Sequence, residues 1–192
     1  MQQMLEKSIV RSKRGSQIAE FGAALVLLSL FLVLPLLDLL IVPIRWMMAQ
    51  ELINAYVRNL AMCETFSQSI QTMEADPSLR TRLIRLGGVE IQSTNLLIKV
   101  TRISQNPALV KSIEVSKPGT IAAQWLPDGA LAPCGYSLVI DVKAAISPGL
   151  LLRWEQASMP GITAPFPISV SASHEWVNLG KDPATGKFFI NE

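Results

Sequence analysis

The sequence predicts an α+β fold. A long N-terminal transmembrane helix continues into an exported helix, which packs on a small antiparallel β-sheet. Three observations carry this. No residue from Phe21 to Leu37 is charged; Asp38 interrupts, and Leu39 to Ile44 run apolar up to Arg45. Residues 46–73 then place apolar side chains at helical spacing. From Val89 the texture changes to alternating, β-rich segments bounded by Gly, Pro, Asn and Asp.

The apolar run comes first. Phe21 to Ile44 is 24 residues, about 36 Å of helix at ~1.5 Å per residue. A bilayer core of ~30 Å needs ~20 apolar residues. A buried core helix would show polar positions at helical spacing. Here only Gly22, Ser29 and Pro35 interrupt before Asp38. Arg11, Lys13 and Arg14 abut the run, so the N-terminus is expected to stay in the cytoplasm. The reading is a leader over residues 1–15, a transmembrane helix over 16–45 and an exported α+β domain over 46–192. The run exceeds a signal-peptide core of ~7–15 residues, and IVPIRWMMAQE offers no small-x-small site, so it reads as an anchor.

Two acids flank or interrupt the span. Asp38 lies about 26 Å along the helix from Phe21 at ~1.5 Å per residue. It is expected near the far interface, either reaching water or touching a partner subunit. Glu20 stands at the mouth of the span, five residues after Gly15 and directly before Phe21. A cut after Gly15 would make Ser16 the new N-terminus. Glu20 would then lie one turn from the new α-amine, on the same helix face, in a first turn where the helix dipole favours a negative charge. Pro35 and Pro43 each remove a helix hydrogen bond and are expected to bend the helix.

The segment GSQIAEFGAALVLLSLFLVLPLLDLLIV resembles the N-terminus of TadE-like proteins, the minor pilins or pseudopilins of the tight-adherence (Flp, type IVb) pilus system. Gly15, Ser16, Glu20 and Phe21 carry the resemblance, with Leu34-Pro35-Leu36 beside them. The family often has an acid and an aromatic near the end of the span; here Asp38 is followed by Leu39. The resemblance implies a pilin-like fold and cleavage between Gly15 and Ser16 by a prepilin peptidase. It implies that Glu20 registers the subunit against a neighbour during assembly. The implied partners are membrane lipid, the peptidase, other pilins or pseudopilins and the pilus assembly platform. The implied location is the bacterial inner membrane, with possible incorporation into the pilus. The alternative is an uncut single-span anchor holding a periplasmic binding or interaction domain; an anchor needs neither Gly15 nor Glu20.

Past the span, Trp46 suits the interface. A continuous helix over 46–73 is expected, with Leu52, Ile53, Tyr56, Leu60, Cys63, Ser67 and Ile70 on one stripe. Asp76-Pro77 reads as an N-cap followed by proline at the first helical position. A short helix to Leu86 would bury Leu79, Leu83 and Leu86 and end at Gly87-Gly88. Its arginines, Arg80, Arg82 and Arg85, read as a solvated basic face, the alternative being a site for an acidic partner. Strands are expected at Leu96–Ile103, Val110–Val115, Thr120–Leu126, Tyr136–Ile146, Pro167–Val177 and Lys187–Ile190, with turns at Lys117–Thr120 and Asp182–Gly186. Pro148 to Pro165 reads as a loop carrying the apolar stretch LLLRW at 150–154, set to cover one face or dip toward the membrane. YSLVIDVKAAISP and FPISVSASHEW also loosely resemble the C-terminal region of TadE-like proteins.

Composition narrows the function. The chain of 192 residues has 17 Lys+Arg and 15 Asp+Glu, with no basic patch that would suit nucleic acid and no charge run that would suit a disordered tail. Cys63 and Cys134 lie outside the span and could close a disulfide in an oxidising compartment or stay as two buried thiols. With one histidine they are too few for structural zinc. No cofactor or metal is implied. His174 stands beside Glu175, and neighbours on a strand point to opposite faces. No Walker loop, dinucleotide fingerprint or nucleophile elbow is present. The expectation is a non-enzyme with no small-molecule substrate.

Overall fold

A computed structural model describes residues 19–147, 159–161 and 164–192. Gly15, Ser16, the basic residues before them and the LLLRW stretch lie outside the described residues. The architecture is α+β, a long N-terminal helix packed on a four-stranded antiparallel sheet.

The long helix, α1, spans Ala19–Leu60. Ser29–Val33 is a π-helical segment, in which the Leu34 N–H donates to the Ser29 carbonyl. It ends two residues before Pro35. Proline has no N–H, and its ring crowds the carbonyl four residues back; a locally widened turn makes room for it. Pro43 sits inside the α-helical part, Leu34–Leu60, without ending it.

The continuous helix expected over 46–73 is broken. α1 stops at Leu60, and α2, Phe66–Ala75, restarts after a five-residue turn. The cause is local: Thr65 Oγ1 accepts from the Gln68 N–H, and Gln68 Oε1 accepts from the Glu64 N–H. This is a near relative of the Ser/Thr-x-x-Glu/Gln capping box. Ser69, fully buried, donates its hydroxyl to the Leu60 carbonyl across the break, 2.9 Å away. The buried stripe on α1 is Ala49, Ile53, Val57 and Leu60. Ile53 and Leu60 of the expected stripe are thus buried, whereas Leu52 and Tyr56 are only partly so.

Helix α3, Ser78–Arg85, begins one residue later than expected, with Pro77 at the cap position. Asp76 still caps it, accepting from both the N–H and the hydroxyl of Ser78. Leu79 and Leu83 are buried, Leu86 partly so. Gly87 and Gly88 end the helix at φ 81° and 78°, a region where a side chain is strained.

The sheet has the order β2-β1-β3-β4. Its strands are β1 (Val89–Arg102), β2 (Ser112–Val115), β3 (Cys134–Ile146) and β4 (Phe166–Glu175). β1 is longer than expected because Val89–Asn95 pairs with Asp141–Ile146 of β3, with a register shift between Ile91 and Ser93. Two expected strands are not strands. Thr120–Leu126 holds a 3₁₀ turn, Ala123–Trp125, whose Trp125 is buried. Lys187–Ile190 contributes one bridge, Lys181 with Phe188, and then a 3₁₀ turn, Phe189–Asn191. Both segments cap the core instead of extending the sheet.

One sheet face is apolar. Leu96, Ile98 and Val100 of β1, Leu138, Ile140 and Val142 of β3, and Val170 and Ala172 of β4 are all buried. Helix α1 packs on this face chiefly against β4. The opposite face is wetter, with Ser169, Ser171 and Ser173 exposed along β4, the alternation expected of a half-solvated antiparallel sheet.

Candidate membrane and assembly interface

The candidate site is the lower half of α1. In Ala19–Leu60 the most apolar window has mean hydropathy 2.9 and is 11% buried. The helix is therefore long and apolar enough to cross a membrane, and nearly bare. Leu25, Leu28, Phe31 and Leu40 are all about half exposed. In water such a surface is costly at ~25 cal/mol per Å² of apolar area. Only the face carrying Asp38 and Val42 is buried along this part of the helix among the described residues.

Glu20 is exposed in the first described turn of the helix, where a carboxylate complements the N-terminal partial charge. Phe21 beside it is 69% exposed. Both side chains are thus presented outward on the described part of the helix.

Asp38 departs from expectation. It does not face water at the interface: it is 1% exposed, covered by its own chain, and it is not without a partner. It shares a helix face with Val42, 8% exposed, and Ala49, 1% exposed. Between them Arg45 Nη1 donates to the Ser147 carbonyl at 2.7 Å. That bond ties the point where α1 meets the domain to the end of β3. Trp46, on the next position, is 41% exposed.

Cys63 lies in the turn between α1 and α2, Cys134 at the start of β3, and both are free thiols. The Cys134 thiol donates to the Leu131 carbonyl at 3.4 Å. Burial pushes its ionisation upward, against a smaller opposing pull from Arg102, so it is the less reactive protonated form that is favoured.

The described residues assemble no nucleophile–base pair. His174 Nδ1 lies 3.0 Å from the Glu175 carbonyl oxygen rather than its carboxylate. A groove of about 490 Å³ between the α2–α3 junction and the shifted part of β1 is lined by Tyr56, Asp76, Arg80 and Thr94. Asp76 is held below the usual carboxylate range by the Ser78 hydroxyl and N–H, so its charge serves the helix cap. The capping pair Thr65–Gln68 was legible in the sequence as Thr-x-x-Gln. The burial of Asp38 was not, because hydrophobic periodicity registers only what lies within a few turns.

No family model, no curated protein and no solved structure matches the chain.

Proposed function

We propose that this chain is a minor pilin or pseudopilin of a tight-adherence (Flp, type IVb) pilus, cut between Gly15 and Ser16 by a prepilin peptidase. One observation carries the reading. Gly15, Ser16, Glu20 and Phe21 stand at family spacing immediately before a helix that is apolar, exposed and continuous into an α+β domain. The chemistry follows from that spacing. Cleavage creates an α-amine one turn from Glu20, and an acid at a membrane mouth is costly until it meets a cation. Pairing with the amine of a neighbouring subunit would set the axial register of packed helices. The bare leucine surface of α1 would exchange lipid for the helices of other subunits. The chain is anchored in the inner membrane by α1, with its N-terminus cytoplasmic, following the basic cluster at Arg11, Lys13 and Arg14, and its α+β domain periplasmic. No catalytic role is assigned to it; it is a peptidase substrate and an assembly component.

The test is the N-terminal residue of the membrane-extracted protein, read by mass spectrometry with and without the host's prepilin peptidase. A terminus at Ser16 that depends on the enzyme supports the reading. Uncut protein in both strains would overturn it in favour of a plain single-span anchor.

A further inference from the structure

At the depth of Leu39, helix α1 is not alone. Its one covered side in this region carries Asp38, Val42, Arg45 and Ala49, spaced as one helix face. The opposite side at the same level is bare, with Leu40 58% and Ile44 56% exposed. Part of the cover is the turn before β4. A Cβ placed on Gly161 would stand 3.6 Å from Leu39 Cδ1 and 3.7 Å from Val42 Cγ2. Next to it, a groove of about 400 Å³ runs between α1 and the start of β4, lined by Val42, Pro43, Trp46, Phe166 and Ile168.

The depth of this contact is set by the helix. A hydrocarbon core of ~30 Å takes ~20 residues, so a core that begins at Phe21 ends near Leu40. Leu39 then lies inside the apolar zone, about 9 Å below Arg45 at ~1.5 Å per residue. A segment touching Leu39 shares that zone.

The turn is built for it. Gly161 N–H donates to the Ala164 carbonyl at 2.8 Å, and Ala164 N–H donates to the Met159 carbonyl at 3.1 Å. Pro160 and Pro165 bring no N–H at all. Among the described residues of the turn, these two bonds satisfy the N–H groups of Gly161 and Ala164, as an apolar medium demands. Met159 is nevertheless 55% exposed, and Pro160 is exposed beside it.

We propose that the Met159–Gly161 turn enters the leaflet on the domain's side of the bilayer, beside α1, so that the domain is seated on lipid by two limbs. The helix is one limb and the turn the other, and the Arg45–Ser147 bond braces them at headgroup level. Lipid acyl chains are the occupants of the groove under Phe166. Asp38 is carried at this depth on the protein-covered side of α1, not the lipid side. The inference rests on α1 spanning the membrane, and its test separates the two.

Single cysteines are placed in full-length Cys63→Ser/Cys134→Ser protein, labelled with bimane and reconstituted in phosphatidylcholine vesicles. The positions are Met159→Cys and Pro160→Cys on the turn, Leu28→Cys in the mid-helix and Val177→Cys, 67% exposed beyond the far end of β4. Quenching is read with a lipid carrying a nitroxide near the top of the acyl chain and with aqueous iodide. The expected result is lipid quenching at Met159 or Pro160 within about twofold of Leu28, with iodide quenching several-fold weaker than at Val177. Iodide quenching of both turn positions at the level of Val177, with Leu28 still lipid-quenched, overturns the inference and leaves the span intact. Quenching of the turn by neither agent means protein cover and overturns it too. Absence of lipid quenching at Leu28 as well removes the span and the seat together.

Discussion

Under the proposed function, Glu20 is the residue on which assembly depends. Its charge, rather than its size, is what an α-amine one turn away would recognise. Glu20→Ala and Glu20→Gln should both abolish pilus formation while leaving the protein in the membrane fraction, as read by shearing fibres from cells and blotting the membranes. Normal fibre yield from Glu20→Gln would remove the charge pairing. Tyr136 makes a prediction of a different kind. Its hydroxyl donates to the Trp125 carbonyl at 2.8 Å, and burial pushes its ionisation up to about 12. An unfolded tyrosine loses its proton near ~10. Between those values the unfolded chain has lost the proton and the folded chain keeps it. Stability should therefore fall as pH rises from about 10 toward 12. Tyr136→Phe should flatten that fall and, at neutral pH, cost about 1 kcal/mol through the orphaned Trp125 carbonyl. Denaturant melts across the alkaline range check both. The free thiols of Cys63 and Cys134 predict no change in melting temperature or gel mobility on adding a reductant; a reductant-dependent shift would mean the two pair.

At the scale of elements, the joints matter more than the strands. Gly88 ends α3 with φ 78°, and a Cβ there would lie 3.1 Å from Ser147 Cβ and 3.3 Å from its carbonyl oxygen. Gly88→Ala should destabilise the domain by about 1–3 kcal/mol and loosen the Arg45–Ser147 brace. It is measured by chemical denaturation of the detergent-solubilised protein. The break between α1 and α2 has a comparable lock in Ser69, whose buried hydroxyl meets the Leu60 carbonyl. Several elements were readable in advance. α3 and its glycine stop, β3 and β4 all follow from local chemistry: an Asx cap, two left-handed glycines and strict alternation. Thr120–Leu126 and Lys187–Ile190 misled because short apolar runs carry no period of their own. Trp125 and Ile190 are inward-facing for a different reason, filling the end of the core from 3₁₀ turns.

Across the whole molecule the design is a polarised one. The upper part of α1 buries Ala49, Ile53 and Val57 against the sheet, while the lower part keeps an apolar surface bare. Phe66 and Trp176 are among the largest fully buried side chains. Phe66→Ala should cost about 3–5 kcal/mol and unfold the domain without releasing the helix from the membrane. Protease accessibility of membrane-bound protein would show a cleaved domain and a retained α1. Loss of membrane association in that variant would mean that the domain, not the helix, holds the chain to the bilayer.

The boundary between local and long-range information runs through α1 itself. Its length, its apolar character, the Gly15-to-Phe21 spacing and the α+β division are properties of neighbouring residues, so the amino-acid order alone carries them. Which face of that helix turns inward is different. The expected stripe holds Leu52, Ile53, Tyr56 and Leu60; packing on the sheet buries Ile53 and Leu60 fully, adds Val57, and leaves Leu52 and Tyr56 partly exposed. Asp38 shows this most plainly. Read along the chain it is an acid near an interface. In the folded molecule it is 1% exposed, on the helix face that also carries Val42 and Ala49. Burial is decided by what arrives from a hundred residues away, and hydrophobic periodicity registers only what lies within a few turns.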